Sequence, residues 1–298
     1  MPNLLTAIKT KGILVSDGGW GSFLVARGLQ PGESPERWNL DHPDEVRGIA
    51  LMYAEAGADI VLTNSFGGTR FKLEHFGLAD RVERINTAAA RLSREAVGHD
   101  KIVLASMGPT GKILMMGDVS EEELYSAFAE QAVALEKGGA DAVTVETMSA
   151  VDEAGIAVRA TKENTSLTIV ASFAFDTKTP QGYRTMMGVS PEAMAAAMLD
   201  AGADVLGANC SLGSAEMVEV IAALHAAAPG IPLIVHPNAG RPEQQPDGSI
   251  TYPETPACMA ANVPALIESG ASIIGGCCGT GPDHIRAIRA AVDAALAG

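Results

Sequence analysis

The chain has no long hydrophobic run. No window of about 18 residues, close to the length that spans a bilayer as a helix, is uninterruptedly apolar. The N-terminal segment Met-Pro-Asn-Leu-Leu-Thr-Ala-Ile-Lys-Thr-Lys-Gly also lacks the sustained apolar stretch of a secretory signal peptide. The sequence therefore predicts a cytoplasmic protein that has no membrane partner.

Basic residues are scarce as well. The chain has 21 Lys and Arg against 36 Asp and Glu, which gives a formal net charge of -15. Because a nucleic-acid backbone requires a basic surface, this balance argues against a nucleic-acid partner. Nucleotide-binding motifs are missing too, since the segment Gly-Pro-Thr-Gly-Lys at 108–112 lacks the Walker spacing and no full Gly-x-Gly-x-x-Gly follows Asp17.

Cysteine is rare. Four cysteines in 298 residues are too few for a disulfide framework. No Cys-x-x-Cys pair is present, so a structural zinc finger or ribbon is not expected. In a reducing compartment, such thiols serve as metal ligands, as nucleophiles or as small buried residues, and their positions along the fold decide among these uses.

Eight short apolar runs alternate with alanine-rich amphipathic segments along the whole chain. Each run is too short and too rich in β-branched residues for a helix, and most are continuously apolar, as buried parallel strands are. The alternation predicts an α/β protein, a (β/α)8 TIM barrel that forms a single domain over residues 1–298. The predicted strands cover residues 13–17, 59–64, 102–107, 142–146, 168–173, 204–209, 233–237 and 272–276.

Polar side chains collect where these predicted strands end. In a TIM barrel the carboxyl ends of all eight strands meet at one face, and the active site forms there. The sequence therefore brings carboxylates, amides and thiols to one mouth. The residues are Asp17, Thr63, Asn64, Glu146, Thr147, Asn209, Cys210, His236, Asn238, Cys277 and Cys278.

Three of these residues, Cys210, Cys277 and Cys278, predict a metal site, because a catalytic zinc usually keeps three protein ligands and one open position. Adjacent cysteines can face one ion only if the backbone turns, which the flanking glycines allow. Alternatively, the adjacent pair is two small buried residues at a crowded strand end. Cys258 is predicted as an ordinary packed thiol, and His236 as a hydrogen-bonded core residue rather than a ligand.

Three thiolates on Zn²⁺ favour a particular chemistry. They leave the complex with a net negative charge, so it activates water less well than imidazole-bound zinc but suits a substrate thiol held as a nucleophilic thiolate. Asp17 and Glu146 suit a substrate ammonium, and the backbone amides of residues 18–21 suit its carboxylate. These groups predict alkyl transfer to an amino acid that carries a thiol. As alternatives, Asp17 forms a turn and Glu146 belongs to a structural ion pair.

Several segments resemble the homocysteine S-methyltransferase family, which includes betaine-homocysteine methyltransferase and the homocysteine-binding module of cobalamin-dependent methionine synthase. The resemblance runs essentially from end to end. It implies zinc-dependent methyl transfer to homocysteine to give methionine, with Cys210, Cys277 and Cys278 as the catalytic metal ligands. The segments include Ala-Gly-Ala-Asp-Ile-Val-Leu-Thr-Asn-Ser-Phe-Gly, Gly-Gly-Ala-Asp-Ala-Val-Thr-Val-Glu-Thr-Met, Gly-Ala-Asn-Cys-Ser, His-Pro-Asn-Ala-Gly and Gly-Gly-Cys-Cys-Gly-Thr.

The resemblance also implies the residues that bind the substrate. Asp17 and Glu146 match the amino-acid-binding carboxylates of the family, and Gly18 lies beside the first of them. Asn209 precedes the first cysteine ligand. Asn238 lies in a segment that approaches the zinc in methionine-synthase-like members when no substrate is bound.

The methyl donor is open at this point. A sulfonium, a betaine or methylcobalamin on another protein would each fit. The main prediction is a stand-alone module like that of methionine synthase, and the alternative is a non-autonomous homocysteine-binding subunit of a multiprotein enzyme. A betaine site needs an aromatic cage, for which the chain offers few candidates. These are Trp20, Trp38, Phe66, Tyr183 and Tyr252.

The sequence leaves alternatives open for the loop 240–256 and for the function of the barrel. The long polar loop 240–256 is either a lid or donor-docking segment over the mouth, or it is disordered. A barrel hydrolase or aldolase is disfavoured, because it would be expected to carry a histidine-rich metal site or a lysine at a strand end. A redox role for the Cys277–Cys278 pair is the remaining option.

Overall fold

The computed structural model describes residues 3–246 and 248–297, and its main feature is a sheet of eight parallel strands rolled into a nearly closed (β/α)8 barrel. Two antiparallel hairpins, β6 with β7 and β10 with β11, lie outside this sheet. The strands are β1 (Leu14–Val15), β2 (Ile60–Leu62), β3 (Ile102–Met107), β4 (Ala142–Met148), β5 (Thr168–Phe173), β6 (Thr177–Thr179), β7 (Gly182–Arg184), β8 (Val205–Asn209), β9 (Leu233–His236), β10 (Glu243–Gln244), β11 (Ile250–Thr251) and β12 (Ala271–Ile274).

Helices follow the barrel strands and pack around them. The predicted TIM barrel is confirmed, and no helix within the described residues is long and apolar enough to cross a membrane. The helices are α1 (Leu4–Lys11), α2 (Gly21–Ala26), α3 (Trp38–Asp41), α4 (Pro43–Glu55), α5 (Arg70–Glu74), α6 (Val82–Val97), α7 (Glu121–Lys137), α8 (Val151–Asn164), α9 (Pro191–Ala201), α10 (Ser214–Ala227), α11 (Pro256–Glu268) and α12 (Pro282–Ala297).

Two aspartates close the barrel between β1 and β2, the two ends of the hydrogen-bonded strand order. The Asp59 carboxylate accepts a hydrogen bond from the Val15 N–H at 2.9 Å, while the Asp59 N–H donates to the Val15 carbonyl at 2.7 Å. Nearer the mouth, the Leu62 N–H donates to Asp17 Oδ2 at 2.7 Å. These bonds replace the regular backbone ladder, so Asp17 is fixed by barrel closure.

The barrel interior changes from apolar to polar along the strands. Side chains alternate between the two faces of a strand, so the inward residues are spaced by two. The lower layers are apolar and include Leu14, Leu104, Val170 and Ile234, with Leu4 of α1 packed among them. Two residues further on, the same strands carry buried polar groups. These are Ser16, Ser106, Ser172 and His236.

The loop 240–256 is tied to the barrel near its C-terminal end. The β10–β11 hairpin lies within it, and Asp247 lies outside the described residues. The Glu254 carboxylate accepts hydrogen bonds from the N–H and hydroxyl of Ser214, at 3.2 and 2.6 Å. The Glu254 N–H donates to the Ala239 carbonyl at 2.8 Å. These contacts favour an ordered segment beside the mouth over the disordered alternative.

Candidate metal centre

The sulfur atoms of Cys210, Cys277 and Cys278 all lie within 4.8 Å of one another. The Cys278 sulfur is 4.0 Å from each of the other two. Four ligands at the Zn–S distance of about 2.3 Å in a tetrahedron would place sulfurs about 3.8 Å apart, whereas a disulfide bond needs about 2.05 Å. The three free thiols therefore fit three corners of a tetrahedral metal site and leave the fourth corner for a ligand.

Unusual backbone conformations bring the thiols together. Cys210 has a φ of 63°, in the left-handed region that non-glycine residues seldom adopt, and Gly279 has a φ of 80° just after the pair. A Cβ added to Gly275 would lie 2.8 Å from Asp17 O and 2.9 Å from His236 Cδ2, so no larger residue fits there. The turn before Cys277 is thus packed against the strands on either side, as the sequence-based argument from glycine requires.

The segment from His236 to Asn238 holds the backbone of all three cysteines. The Cys210 N–H donates to the His236 carbonyl at 3.0 Å, and the Cys277 N–H donates to the Pro237 carbonyl at 2.8 Å. The Cys278 N–H donates to Asn238 Oδ1 at 3.1 Å. Asn238 therefore holds the turn that carries Cys278 through its side chain.

The His236 ring lies beneath the cluster and is not among the groups positioned to share a metal with the thiols. Burial lowers the pKa of His236 to about 4, so the ring is neutral at physiological pH. Its Nε2 is buried without a hydrogen-bond partner among the described residues. This placement fits the predicted core role, although Nε2 makes none of the predicted hydrogen bonds within residues 3–246 and 248–297.

The three thiols have unequal acidities. Hydrogen bonds from Cys210 and Cys277 lower the pKa of Cys278 to about 3, and Tyr252 adds a further hydrogen bond to that sulfur. The hydrogen bonds that Cys277 makes with Cys210 and Cys278, together with burial, hold the pKa of Cys277 well above its usual range. Burial and the short distances between the sulfurs disfavour more than one thiolate in the cluster unless a cation stabilises the added charge.

Asp17 lies at the mouth with only 1 % of its surface exposed. Its Oδ2 accepts hydrogen bonds from the Leu62 N–H at 2.7 Å and the Trp20 indole N–H at 2.9 Å. Its Oδ1 is buried and has no partner within the described residues. Burial and the nearby charge of Glu146 raise the pKa of Asp17 to about 7. A buried, half-satisfied carboxylate of this kind suits a substrate ammonium and is more than a turn former.

Glu146 faces the same space from the end of β4. Within residues 3–246 and 248–297, its one side-chain partner is Ser106, whose hydroxyl donates to Oε1. Burial and the negative Cys278 sulfur raise the pKa of Glu146 to about 7. The alternative of a structural ion pair is wrong for the described residues, since no cationic side chain among them pairs with this carboxylate.

The other predicted substrate-binding residues occupy different surroundings. Gly18 is buried, and a Cβ added there would lie 2.7 Å from Thr280 Oγ1 and 3.0 Å from the Tyr53 hydroxyl. Asn209 directs its amide toward β4 and β5, where it bonds with Thr147 and Ser172. Gly18 therefore offers only backbone to a ligand.

The prediction for Cys258 is wrong. Cys258 does lie in the first turn of α11, but it is exposed rather than packed, because the helix buries Met259 and Val263 instead. Tyr252 packs against Gly279 and bonds Cys278, yet among the described residues no ring contact joins two of the five cage candidates. Ser106 was missed, although a serine in an otherwise apolar strand was a usable signal.

The raised pKa of Asp17 predicts how the stability of the metal-free protein changes with pH. A carboxyl whose pKa is about 7 when folded and near 4 when unfolded stabilises the fold fully below pH 4. This contribution, about 4 kcal/mol at most, is lost as the pH rises to 7. Urea unfolding between pH 5 and 8 should show Asp17→Asn gaining stability relative to the original protein as the pH increases. Parallel stability profiles would contradict the assignment.

Comparison with known proteins places this geometry in context. The sequence model described as homocysteine S-methyltransferase matches residues 14–292. The chain is 34 % identical over 296 residues to a methionine synthase of Mycobacterium leprae (strain TN), covering 94 % of this chain and 24 % of that protein. It is also 34 % identical over 305 residues to a methionine synthase of Mycobacterium tuberculosis (strain ATCC 25618 / H37Rv), covering 97 % and 25 %. The chain thus spans about a quarter of the length of these relatives.

Solved structures share the fold over nearly the full length of both chains. The metallated form of the homocysteine methyltransferase MmuM from Escherichia coli has a TM-score of 0.78 at 24 % identity, covering 96 % of this chain and 99 % of that one. The oxidized form of the same protein has a TM-score of 0.79 at 25 % identity, covering 97 % and 99 %. This chain therefore shares its barrel fold with these structures over nearly its whole length.

Proposed function

Because the chain belongs to the homocysteine S-methyltransferase family, we propose that it transfers a methyl group to the thiol of homocysteine and produces methionine. The observation that carries this proposal is that a cluster of three thiols and two buried carboxylates lie at the same mouth of the barrel. Three thiols leave one tetrahedral corner free, and two buried carboxylates beside them have no cationic partner among the described residues. An amino acid with a thiol complements both groups.

We infer that the metal is Zn²⁺. Three thiolates form a soft ligand set, and zinc accepts tetrahedral sulfur ligands without redox chemistry. Zn²⁺ bound here would hold the homocysteine sulfur as a thiolate at neutral pH, so no general base is needed during methyl transfer. Cys210, Cys277 and Cys278 would hold the ion, and Asn238 would keep Cys278 in place through its 3.1 Å hydrogen bond.

The substrate would be oriented by groups on β1 and β4. Asp17 Oδ1 and the Glu146 carboxylate would receive the substrate ammonium, which restores the ionised form of both groups at pH 7. The buried Gly18 would present its backbone N–H to the substrate carboxylate. With the amino acid held at both ends, the sulfur lone pair can attack the methyl carbon while the donor leaves with the electrons of the broken bond.

A second candidate function is a homocysteine-binding subunit that works only with a partner protein carrying methylcobalamin. The chain spans about a quarter of the length of its methionine synthase relatives. Exposed methionines also lie in the loops after β3 and β5, at the face where a donor must approach. The exposed fractions are 84 % for Met115, 77 % for Met116 and 74 % for Met186.

Turnover by the purified chain separates the two candidates. A stand-alone enzyme should make methionine from homocysteine and a small sulfonium or betaine donor without added protein. A subunit should bind homocysteine but show turnover only with a methylcobalamin-carrying protein. Comparison of both donors with one zinc-loaded preparation tests the two candidates under identical conditions.

Zinc-edge X-ray absorption tests the metal chemistry itself. The zinc-loaded protein should show three sulfur ligands, and the addition of homocysteine should raise the number to four, because the thiol takes the open corner of the tetrahedron. Addition of homoserine, which replaces the thiol by a hydroxyl, should leave the sulfur count at three. A count that stays at three with saturating homocysteine would contradict thiol activation by the metal.

A further inference from the structure

Three non-glycine residues in the described part of the chain have a positive φ, one near the end of β4 and two in the turn after β8. They are Thr147 at 58°, Cys210 at 63° and Ser211 at 63°. Such backbone persists only where surrounding contacts hold it, and a β-branched threonine is a particularly unfavourable residue for it. The end of β4 and the turn after β8 therefore depend on contacts that compensate for strain, and both flank the site.

One side chain supplies these contacts for Thr147. Asn209 Oδ1 accepts hydrogen bonds from the Thr147 N–H at 2.9 Å and the Ser172 hydroxyl at 2.7 Å. Asn209 Nδ2 donates to Thr147 Oγ1 at 2.7 Å. The Asn209 side chain is buried, so water does not compete strongly for these bonds. It thus holds both the backbone and the hydroxyl of the strained threonine.

The position of Asn209 in the chain gives this contact a second consequence. Cys210, a metal ligand in the proposed function, follows Asn209 directly, and Glu146 directly precedes Thr147. A shift of the Cys210 turn therefore moves the side chain that fixes the residue after Glu146. The path between the thiol cluster and the carboxylate consists of two peptide units and one pair of hydrogen bonds.

We propose that Asn209 is a positioning residue that couples metal binding at the cysteine cluster to amino-acid binding at Glu146. The inference rests on the proposed function and adds to it a reason for the strained turns. By thermodynamic linkage, an amino acid bound at Glu146 must then raise metal affinity by the same factor by which the metal raises amino-acid affinity. A residue that only stabilised the fold would weaken both affinities and leave this factor unchanged.

The test uses L-2-aminobutyrate, which is homocysteine without its sulfur, so that no direct bond to the metal contributes. Co²⁺ affinity of the full chain is measured by chelator competition, with and without saturating L-2-aminobutyrate, and binding of the amino acid is measured separately by calorimetry. In the original protein, the amino acid should raise Co²⁺ affinity by at least about 5-fold, the lower end of ordinary coupling factors. In Asn209→Ala, the factor should fall to within about 2-fold of unity.

The possible results discriminate clearly. A variant that keeps the original coupling factor overturns the proposal, and so does a factor of one in the original protein. If L-2-aminobutyrate does not bind the original protein at all, the amino-acid site fails and the proposed function fails with it. If L-2-aminobutyrate binds normally and Asn209→Ala keeps the original coupling factor, only the proposed role of Asn209 is wrong.

A second variant covers the case in which Asn209→Ala does not fold. Thr147→Val preserves the side-chain shape but removes the acceptor of the Nδ2 hydrogen bond, so the coupling factor should fall by at least about 2-fold. Thr161→Val is the matched control, because the buried Thr161 hydroxyl donates to the Ala157 carbonyl in α8, away from the site. It should leave the factor unchanged. Equal coupling in both threonine variants would overturn the proposal.

Discussion

Replacement of Cys210 by alanine should abolish zinc retention and, with it, methyl transfer to homocysteine. The sulfur of Cys210 lies 4.0 Å from that of Cys278, and with Cys277 the three form the only metal-ligand cluster of this kind among the described residues. Loss of groups that merely support ligands already weakens metal binding by about 10- to 100-fold, so loss of a ligand should exceed about 100-fold. Activity with any donor should fall by about 1000-fold or more, since a catalytic zinc usually needs three protein ligands and only two thiols would remain.

The measurement is the zinc-to-protein ratio after dialysis against a weak chelator, read together with the rate of methionine formation. Cys258→Ala is the matched control, because Cys258 is a free thiol on the exposed side of α11. That variant should keep both zinc and activity. If Cys210→Ala retained stoichiometric zinc and full activity, the cysteine cluster would not be the metal site.

Much of the fold follows from local pattern. Buried parallel strands read as continuous apolar runs, and β3 and β5 were predicted with the bounds that the structure shows. For the strand that leads into the cysteine pair, the predicted and observed bounds differ. The eighth barrel strand, predicted at 272–276, ends at Ile274, because Gly275 and Gly276 already belong to the turn that carries the thiols. Strand pattern alone cannot mark where a chain stops pairing in order to bind a ligand.

In the candidate site, too, some features follow from the sequence pattern and others do not. Chain order and strand ends suffice to bring Cys210 near the Cys277–Cys278 pair, because a barrel converges all strand ends. The positive φ of Thr147 could not be predicted, since threonine locally disfavours that conformation and only the distant Asn209 enforces it. Tertiary contacts of high sequence separation decide such features, and a single sequence does not display them.

The sequence predicts only part of the role of Asp17. An aspartate before two glycines reads as a turn former, and its chemistry suggests an ammonium partner. Its bond to the Leu62 N–H, which helps to close the barrel between β1 and β2, depends on strands 45 residues apart. One oxygen is thereby committed to the fold, and the other is buried without a partner among the described residues.

Replacement of Glu146 by glutamine should separate substrate binding from metal binding. Glutamine keeps the size of the side chain but removes the charge that would pair with the substrate ammonium. Loss of one partner from a buried charge pair costs about 3 kcal/mol, which corresponds to a ~100-fold rise in the homocysteine dissociation constant and in KM. Zinc content should stay at one per chain, since Glu146 is not part of the cluster formed by Cys210, Cys277 and Cys278.

Two controls make the result on Glu146 specific. Ser106→Ala removes the hydroxyl that donates to Oε1 but keeps the charge, so its effect on homocysteine binding should be no more than about 10-fold. Stability of the ligand-free protein supplies the second control. Because burial raises the pKa of Glu146 to about 7, the stability that its protonated form contributes is lost as the pH rises from about 4 to 7, and Glu146→Gln should unfold at a higher temperature than the original protein at pH 8. A variant that is stable and zinc-loaded yet binds homocysteine as tightly as before would place the ammonium at another residue, with Asp17 the first to examine, because its free oxygen faces no other partner among the described residues.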